Sequence, residues 1–131
     1  MRDSRTRRLI VAPAVAVLLV LALAATAFAW DSSCTSSKAC VWENSSFVVP
    51  IAAVATSDSN YVWSYYPNTL DSLNDTVSSI KNAFSSYDVV WFFSTSYSGT
   101  SYCLDSGWAS GQLNSHNDQY SSHLVAVGST C

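Results

Sequence analysis

From residue 39 onward, short apolar runs alternate with clusters of Asn, Asp, Ser, Gly and Pro, and no long window keeps its apolar positions at helical spacing. Runs rich in β-branched and aromatic residues at 41–42, 47–54, 61–65, 80–84, 89–93, 101–104 and 124–127 predict strands, because such side chains fit a half-buried pleated surface. The stretch 68–74 is the exception, a turn or short helix. Seven or eight short strands in about a hundred residues predict an all-β antiparallel sandwich. Trp42, Trp63, Trp91, Trp108, Phe47, Phe84, Phe92 and Phe93 are expected to fill its core, each burying on the order of 150–250 Å².

Residues 1–29 follow another pattern. Arg2, Arg5, Arg7 and Arg8 precede an apolar run over 9–25, and Ala27-Phe28-Ala29 supplies the small residues of a cleavage site. This is the layout of a signal peptide, cut before Trp30. An uncleaved anchor is the alternative, since the apolar run lies at the lower limit for spanning a bilayer. Cleavage leaves Lys38 and Lys81 against eight acidic residues, a formal charge of −6. So acidic a surface offers nothing to phosphate backbones or anionic lipid, which disfavours nucleic-acid and membrane partners. Residues 30–131 suit a single domain, expected to be monomeric.

All four cysteines, Cys34, Cys40, Cys103 and Cys131, fall in the exported part, and an even number in a short secreted chain reads as two disulfides. Three pairings are open. Proximity favours Cys34–Cys40, which leaves Cys103–Cys131 to tie down the terminus. A zinc site is the competing reading, but the chain has no Cys-x-x-Cys pair.

A hexapeptide recurs. Asn74-Asp75-Thr76-Val77-Ser78-Ser79 returns as Asn117-Asp118-Gln119-Tyr120-Ser121-Ser122, 43 residues later. The recurrence suggests two similar halves. Asn, Asp and Ser offer oxygen atoms from a short turn, which a hard cation such as calcium prefers. The same residues also start turns by bonding their own backbone, without any ion.

The second half contains Phe92-Phe93-Ser94-Thr95-Ser96-Tyr97-Ser98-Gly99, two aromatics five apart and then x-Gly, followed by a strand-like Ser101-Tyr102-Cys103-Leu104 and the hexapeptide. This resembles a βγ-crystallin Greek key with its calcium loop. The first half keeps Trp42 and Phe47 at that interval but has Val49 where glycine is expected, and carries a longer insert over 48–66. Its hairpin is therefore expected to fold differently. Cys34-x5-Cys40, Val41-Trp42, residues 74–82, Tyr97-Ser98-Gly99-Thr100-Ser101-Tyr102-Cys103 and the closing Asn117-Asp118 motif with a terminal cysteine are similar to peptidase inhibitor family I36.

The resemblance implies a βγ-crystallin-like Greek-key β-sandwich with two Greek key motifs in one domain, and a secreted inhibitor of extracellular peptidases, metallopeptidases first. It also implies possible calcium sites. Each hexapeptide would give a carbonyl from its third residue (Thr76, Gln119) and a hydroxyl from its fifth (Ser78, Ser121), with Asp75 and Asp118 reaching across to the other copy. About one formal charge per site points to affinity near roughly 10⁻⁴ M. Substrate-like inhibition needs a rigid protruding loop. The candidates are the ring Thr35, Ser36, Ser37, Lys38 and Ala39, and the segment 105–111 with Asp105, Ser106, Gly107 and Trp108. A calcium-binding extracellular structural protein without a peptidase target is the alternative function.

Catalytic constellations are lacking. There is no Gly-x-Ser-x-Gly elbow, Glu43 is the lone glutamate, and neither His116 nor His123 belongs to a catalytic metal motif. Both histidines are expected on solvent-facing turn or strand positions. The chain is not expected to be an enzyme.

Overall fold

The computed structural model describes residues 34–127 and 131; the signal peptide expected over 1–29 lies outside them. Among the described residues there are seven strands: β1 (Ala39–Trp42), β2 (Ile51–Val54), β3 (Ser79–Asn82), β4 (Tyr87–Ser94), β5 (Ser98–Leu104), β6 (Ala109–Ser110) and β7 (Ser122–Val127). They form two antiparallel sheets, one in the order β2-β1-β3-β6 and the other β5-β4-β7.

The two halves of the chain are interleaved. β6 belongs to the second half yet pairs with β3 of the first. In return Asp58 of the first half bridges His123 of β7, with Asp58 N donating to His123 O at 2.9 Å and His123 N to Asp58 O at 2.8 Å. Each sheet thus borrows backbone from the other half, which satisfies edge groups that would otherwise be unpaired.

Between the sheets lie Val41, Tyr61, Tyr66, Leu73, Ile80, Val89, Trp91 and Tyr120, all buried. Alternation along β1 sends Ala39 and Val41 into this core and Cys40 and Trp42 to the other face. There Phe47 and the Cys34–Cys40 disulfide cover them in a second cluster, with the Trp42 and Phe47 rings edge-to-face at 5.0 Å. Both expected disulfides are present, Cys34–Cys40 with Cα atoms 6.0 Å apart and Cys103–Cys131 at 5.4 Å.

The structure corrects several expectations. Residues 47–50 are not strand: Ser45–Phe47 is a 3-10 turn in which Ser46 and Phe47 take φ near +60°, so that the Phe47 ring folds back over Trp42. Gly111 permits that fold, because a Cβ there would stand 3.0 Å from the ring. The second hairpin repeats it, with Ser96 and Tyr97 both at φ 57° and Tyr97 against Phe92 at 6.1 Å. The first hairpin thus keeps the aromatic fold-back despite Val49. It differs after the fold-back, where β2 begins only at Ile51, while Gly99 at φ +81° lies within β5.

Residues 61–65 are not strand either. Asn60 accepts a hydrogen bond from Val62 N and caps a 3-10 turn over Tyr61–Trp63, leaving Tyr65 a single bridge to Ser72. Residues 68–74 form turns, the first of the two forms expected there, whereas the two-residue β6 falls within the segment expected to be a loop. Trp42 and Trp91 are fully buried, but Trp63 and Trp108 stand outside, 75% and 66% exposed.

His123 is buried rather than solvent-facing. Its Nε2 lies 2.9 Å from the Thr56 carbonyl and so must carry the proton, leaving Nδ1 to accept from the Tyr61 hydroxyl at 2.6 Å. Burial pushes the imidazole down to about 4, against the opposing pull of the Thr56 carbonyl and Asp58. Burial, with Asp58 nearby, raises the Tyr61 hydroxyl far above its ordinary range and keeps it a donor. The unfolded chain accepts a proton on His123 below about pH 6.5 that the fold refuses. Stability is therefore full above that pH and falls as the pH drops toward about 4, by on the order of 3 kcal/mol. Urea unfolding at pH 7 and 4.5 checks this, and His123→Gln should flatten that part of the profile while lowering stability at pH 7.

Candidate functional site

The duplicated hexapeptides meet across the boundary between the halves. Asp75 and Asp118 both adopt φ 55°, the left-handed conformation that Asp tolerates better than most residues. Asp75 N donates to Tyr120 O and Asp118 N to Val77 O, each at 3.0 Å. Ser78 Oγ donates to Asp118 Oδ1 at 3.2 Å and Ser121 Oγ to Asp75 Oδ1 at 3.4 Å. Within each corner the preceding amide holds the second carboxylate oxygen, Asn74 Nδ2 to Asp75 at 2.7 Å and Asn117 Nδ2 to Asp118 at 2.6 Å.

The last serine of each hexapeptide ties its hairpin. Ser79 Oγ accepts from Phe47 N and donates to Asn44 O; Ser122 Oγ accepts from Tyr97 N and donates to Ser94 O. The backbone adds Ser78 N to Trp42 O and Ser121 N to Phe92 O. These matching bonds align Trp42-Glu43-Asn44 with Phe92-Phe93-Ser94.

The alignment exposes one difference. An open cleft of about 340 Å³ at the first corner is lined by Glu43, Asn44, Asp75, Thr76, Ser78 and Asp118. Glu43 is a carboxylate at its edge; its counterpart Phe93 instead packs against His116 and Tyr120. The donor set of carboxylates, hydroxyl and carbonyl suits a hard cation. Gln119 turns its side-chain amide to Ser115 O at 2.7 Å.

The candidate loops gather at the opposite end. Lys38 O accepts from Ala83 N and Ser37 N donates to Ala83 O, both at 2.8 Å, while Trp108 O accepts from Asn82 N at 2.9 Å and Ser106 Oγ donates to Phe84 O at 2.8 Å. Both segments therefore flank residues 82–84, where β3 ends, whereas the hexapeptide corners sit where it begins. Thr35, Ser36 and Ser37 are exposed, Lys38 is half-buried and Ala39 is buried in β1. Asp105, Gly107 and Trp108 are exposed and Ser106 is half-buried. Ala39 is thus unable to meet a partner.

A family model described as peptidase inhibitor family I36 matches residues 27–104. The chain belongs to peptidase inhibitor family I36. No curated protein matches it. Solved βγ-crystallin domains do: one bearing on the evolution of the eye lens βγ-crystallin fold (TM-score 0.59, 20% identity, 71% of this chain and 88% of that one); one from Ciona intestinalis (TM-score 0.54, 26% identity, 67% and 98%); and one from Flavobacterium johnsoniae (TM-score 0.54, 23% identity, 71% and 98%). This I36 chain therefore carries its family's sequence on a βγ-crystallin scaffold.

Sequence reading overlooked the exposed side chains of Val62, Trp63, Tyr65 and Leu70 in this I36 domain, because hydrophobic residues look like core residues in a one-dimensional pattern. It also overlooked the structural weight of Ser79 and Ser122. Each is fully buried, and its hydroxyl accepts from a hairpin N–H, Phe47 N for Ser79 and Tyr97 N for Ser122. Ser79→Ala and Ser122→Ala are each expected to cost about 1–3 kcal/mol. Ser121→Ala should cost less than about 1 kcal/mol, because its bond to an exposed carboxylate is long. Urea unfolding of the three variants checks the order.

Proposed function

We propose that this I36 protein is exported and blocks extracellular peptidases, metallopeptidases first among them, without any catalytic step of its own. The family match over residues 27–104 carries the reading. Two disulfides in a chain of this size accord with an oxidising compartment. Purified 30–131 is expected to slow at least one member of a panel of metallo- and serine peptidases at micromolar concentration. A panel left wholly uninhibited overturns the reading.

Calcium would stiffen the scaffold by replacing the serine-to-aspartate bonds that now cross between the halves. The first corner would use Thr76 O, Ser78 Oγ and Asp118, with Glu43 close by; the second would use Gln119 O, Ser121 Oγ and Asp75. The carboxylate of Glu43 against the ring of Phe93 favours the first corner. At a dissociation constant near roughly 10⁻⁴ M, 10 mM calcium should add about 2.7 kcal/mol per occupied site. Calorimetry and thermal unfolding with Ser78→Arg and Ser121→Arg check this: Ser78→Arg should remove the larger part of the heat, and an unmutated protein giving neither heat nor thermal shift excludes calcium.

A further inference from the structure

The hairpin-like loop between Tyr61 and Leu73 is fixed at its base and bare at its tip. Tyr61, Tyr66 and Leu73 are buried in the main core. Tyr65 bridges Ser72, Leu73 N donates to Ser64 O at 2.8 Å, and Ser72 Oγ donates to Tyr61 O at 2.8 Å. Ser64 Oγ adds a bond to Asp58 Oδ2 at 2.5 Å.

The tip itself is a turn. Thr69 N donates to Tyr66 O at 3.2 Å, with Pro67 and Asn68 between them and Asn68 at φ 66°, the arrangement that proline followed by a left-handed asparagine favours. Thr69 Oγ1 donates to Tyr66 O and accepts from Asp71 N, and Tyr66 N donates to Asp71 O. Leu70 lies inside this closed frame and is 94% exposed. Among the described residues no hydrogen bond engages its own N–H or C=O. The stem continues into the first hexapeptide corner, where Thr76 Oγ1 donates to Ser72 O at 2.7 Å.

A fully exposed leucine held on a rigid frame is costly in water and cheap to bury, since little ordering entropy is lost on docking. Its free backbone can pair with an enzyme as a substrate would, and no basic residue lies between 61 and 73. Resting on the inhibitor reading above, we propose that the 66–71 turn enters the peptidase cleft and places Leu70 in an apolar specificity pocket. The exposed disulfide end around Ser36 and Trp108 is not the docking face. An enzyme whose specificity pocket is acidic and requires a basic side chain does not recognise this turn.

The test uses 30–131, its Leu70→Glu and Leu70→Met variants, and the opposite-end variants Ser36→Glu and Trp108→Ser. The probes are one extracellular peptidase with an apolar specificity pocket and one that cleaves after lysine or arginine. Because Leu70 makes no core contact, thermal unfolding of its variants should match wild type. Inhibition of the first enzyme should weaken at least about thirtyfold in Leu70→Glu, the scale of an interface hot spot, and be restored in Leu70→Met. Ser36→Glu and Trp108→Ser should inhibit as wild type does. Wild-type inhibition that survives Leu70→Glu but fails in Trp108→Ser overturns the loop assignment and leaves the inhibitor reading standing. A wild type that inhibits neither enzyme nor any of the wider panel overturns both.

Discussion

The domain depends on reciprocal contacts between halves that are each incomplete alone. Sheet pairing exchanges β6 in one direction and Asp58 in the other, and the two hexapeptide corners exchange backbone and serine-to-aspartate bonds across the same boundary. Between them Tyr61 of the first half and His123 of the second share a buried hydrogen bond. A chain with few long apolar runs gains its cooperativity this way, since opening one half strips polar partners from the other.

That reciprocity separates two ends of the molecule. Where β3 begins, the corners gather carboxylates, hydroxyls and carbonyls around an open cleft. Where it ends, the Cys34–Cys40 ring and the 105–108 turn clamp exposed polar residues and Trp108. The Tyr61–Leu73 loop belongs to the corner end, because its stem runs directly into Asn74 and Asp75. Anything that stiffens the first corner therefore also stiffens the loop, which joins the scaffold to the proposed recognition surface in one continuous set of hydrogen bonds.

Duplication does not make the halves equivalent. The aromatic fold-back, the left-handed aspartates and the bridging serines recur almost bond for bond. Glu43 and Phe93 differ, and so does the long insert that only the first half carries. The second half spends its space on aromatic packing around His116 and Tyr120, while the first presents charge and a protruding loop. The conserved geometry supports the fold, and the departures are where recognition has room to arise.

Short β-branched and aromatic runs were enough to determine the all-β class, because local propensity is recorded in one dimension. The repeated hexapeptide suggested two similar halves, the Greek key came from the resemblance to βγ-crystallins, and proximity favoured one of three open disulfide pairings, which the fold then fixed. Tertiary structure alone decided that residues 61–65 leave the sheet, that His123 is buried, that Ala39 is inaccessible, and that Trp63, Trp108 and Leu70 face water. Each of those outcomes depends on which partner a residue meets across the fold: Asn60 capping a turn, Tyr61 meeting an imidazole, Ser72 closing a loop on Tyr65. A hydrophobic side chain carries no mark of whether another element will cover it, so exposure was the property the sequence could not express.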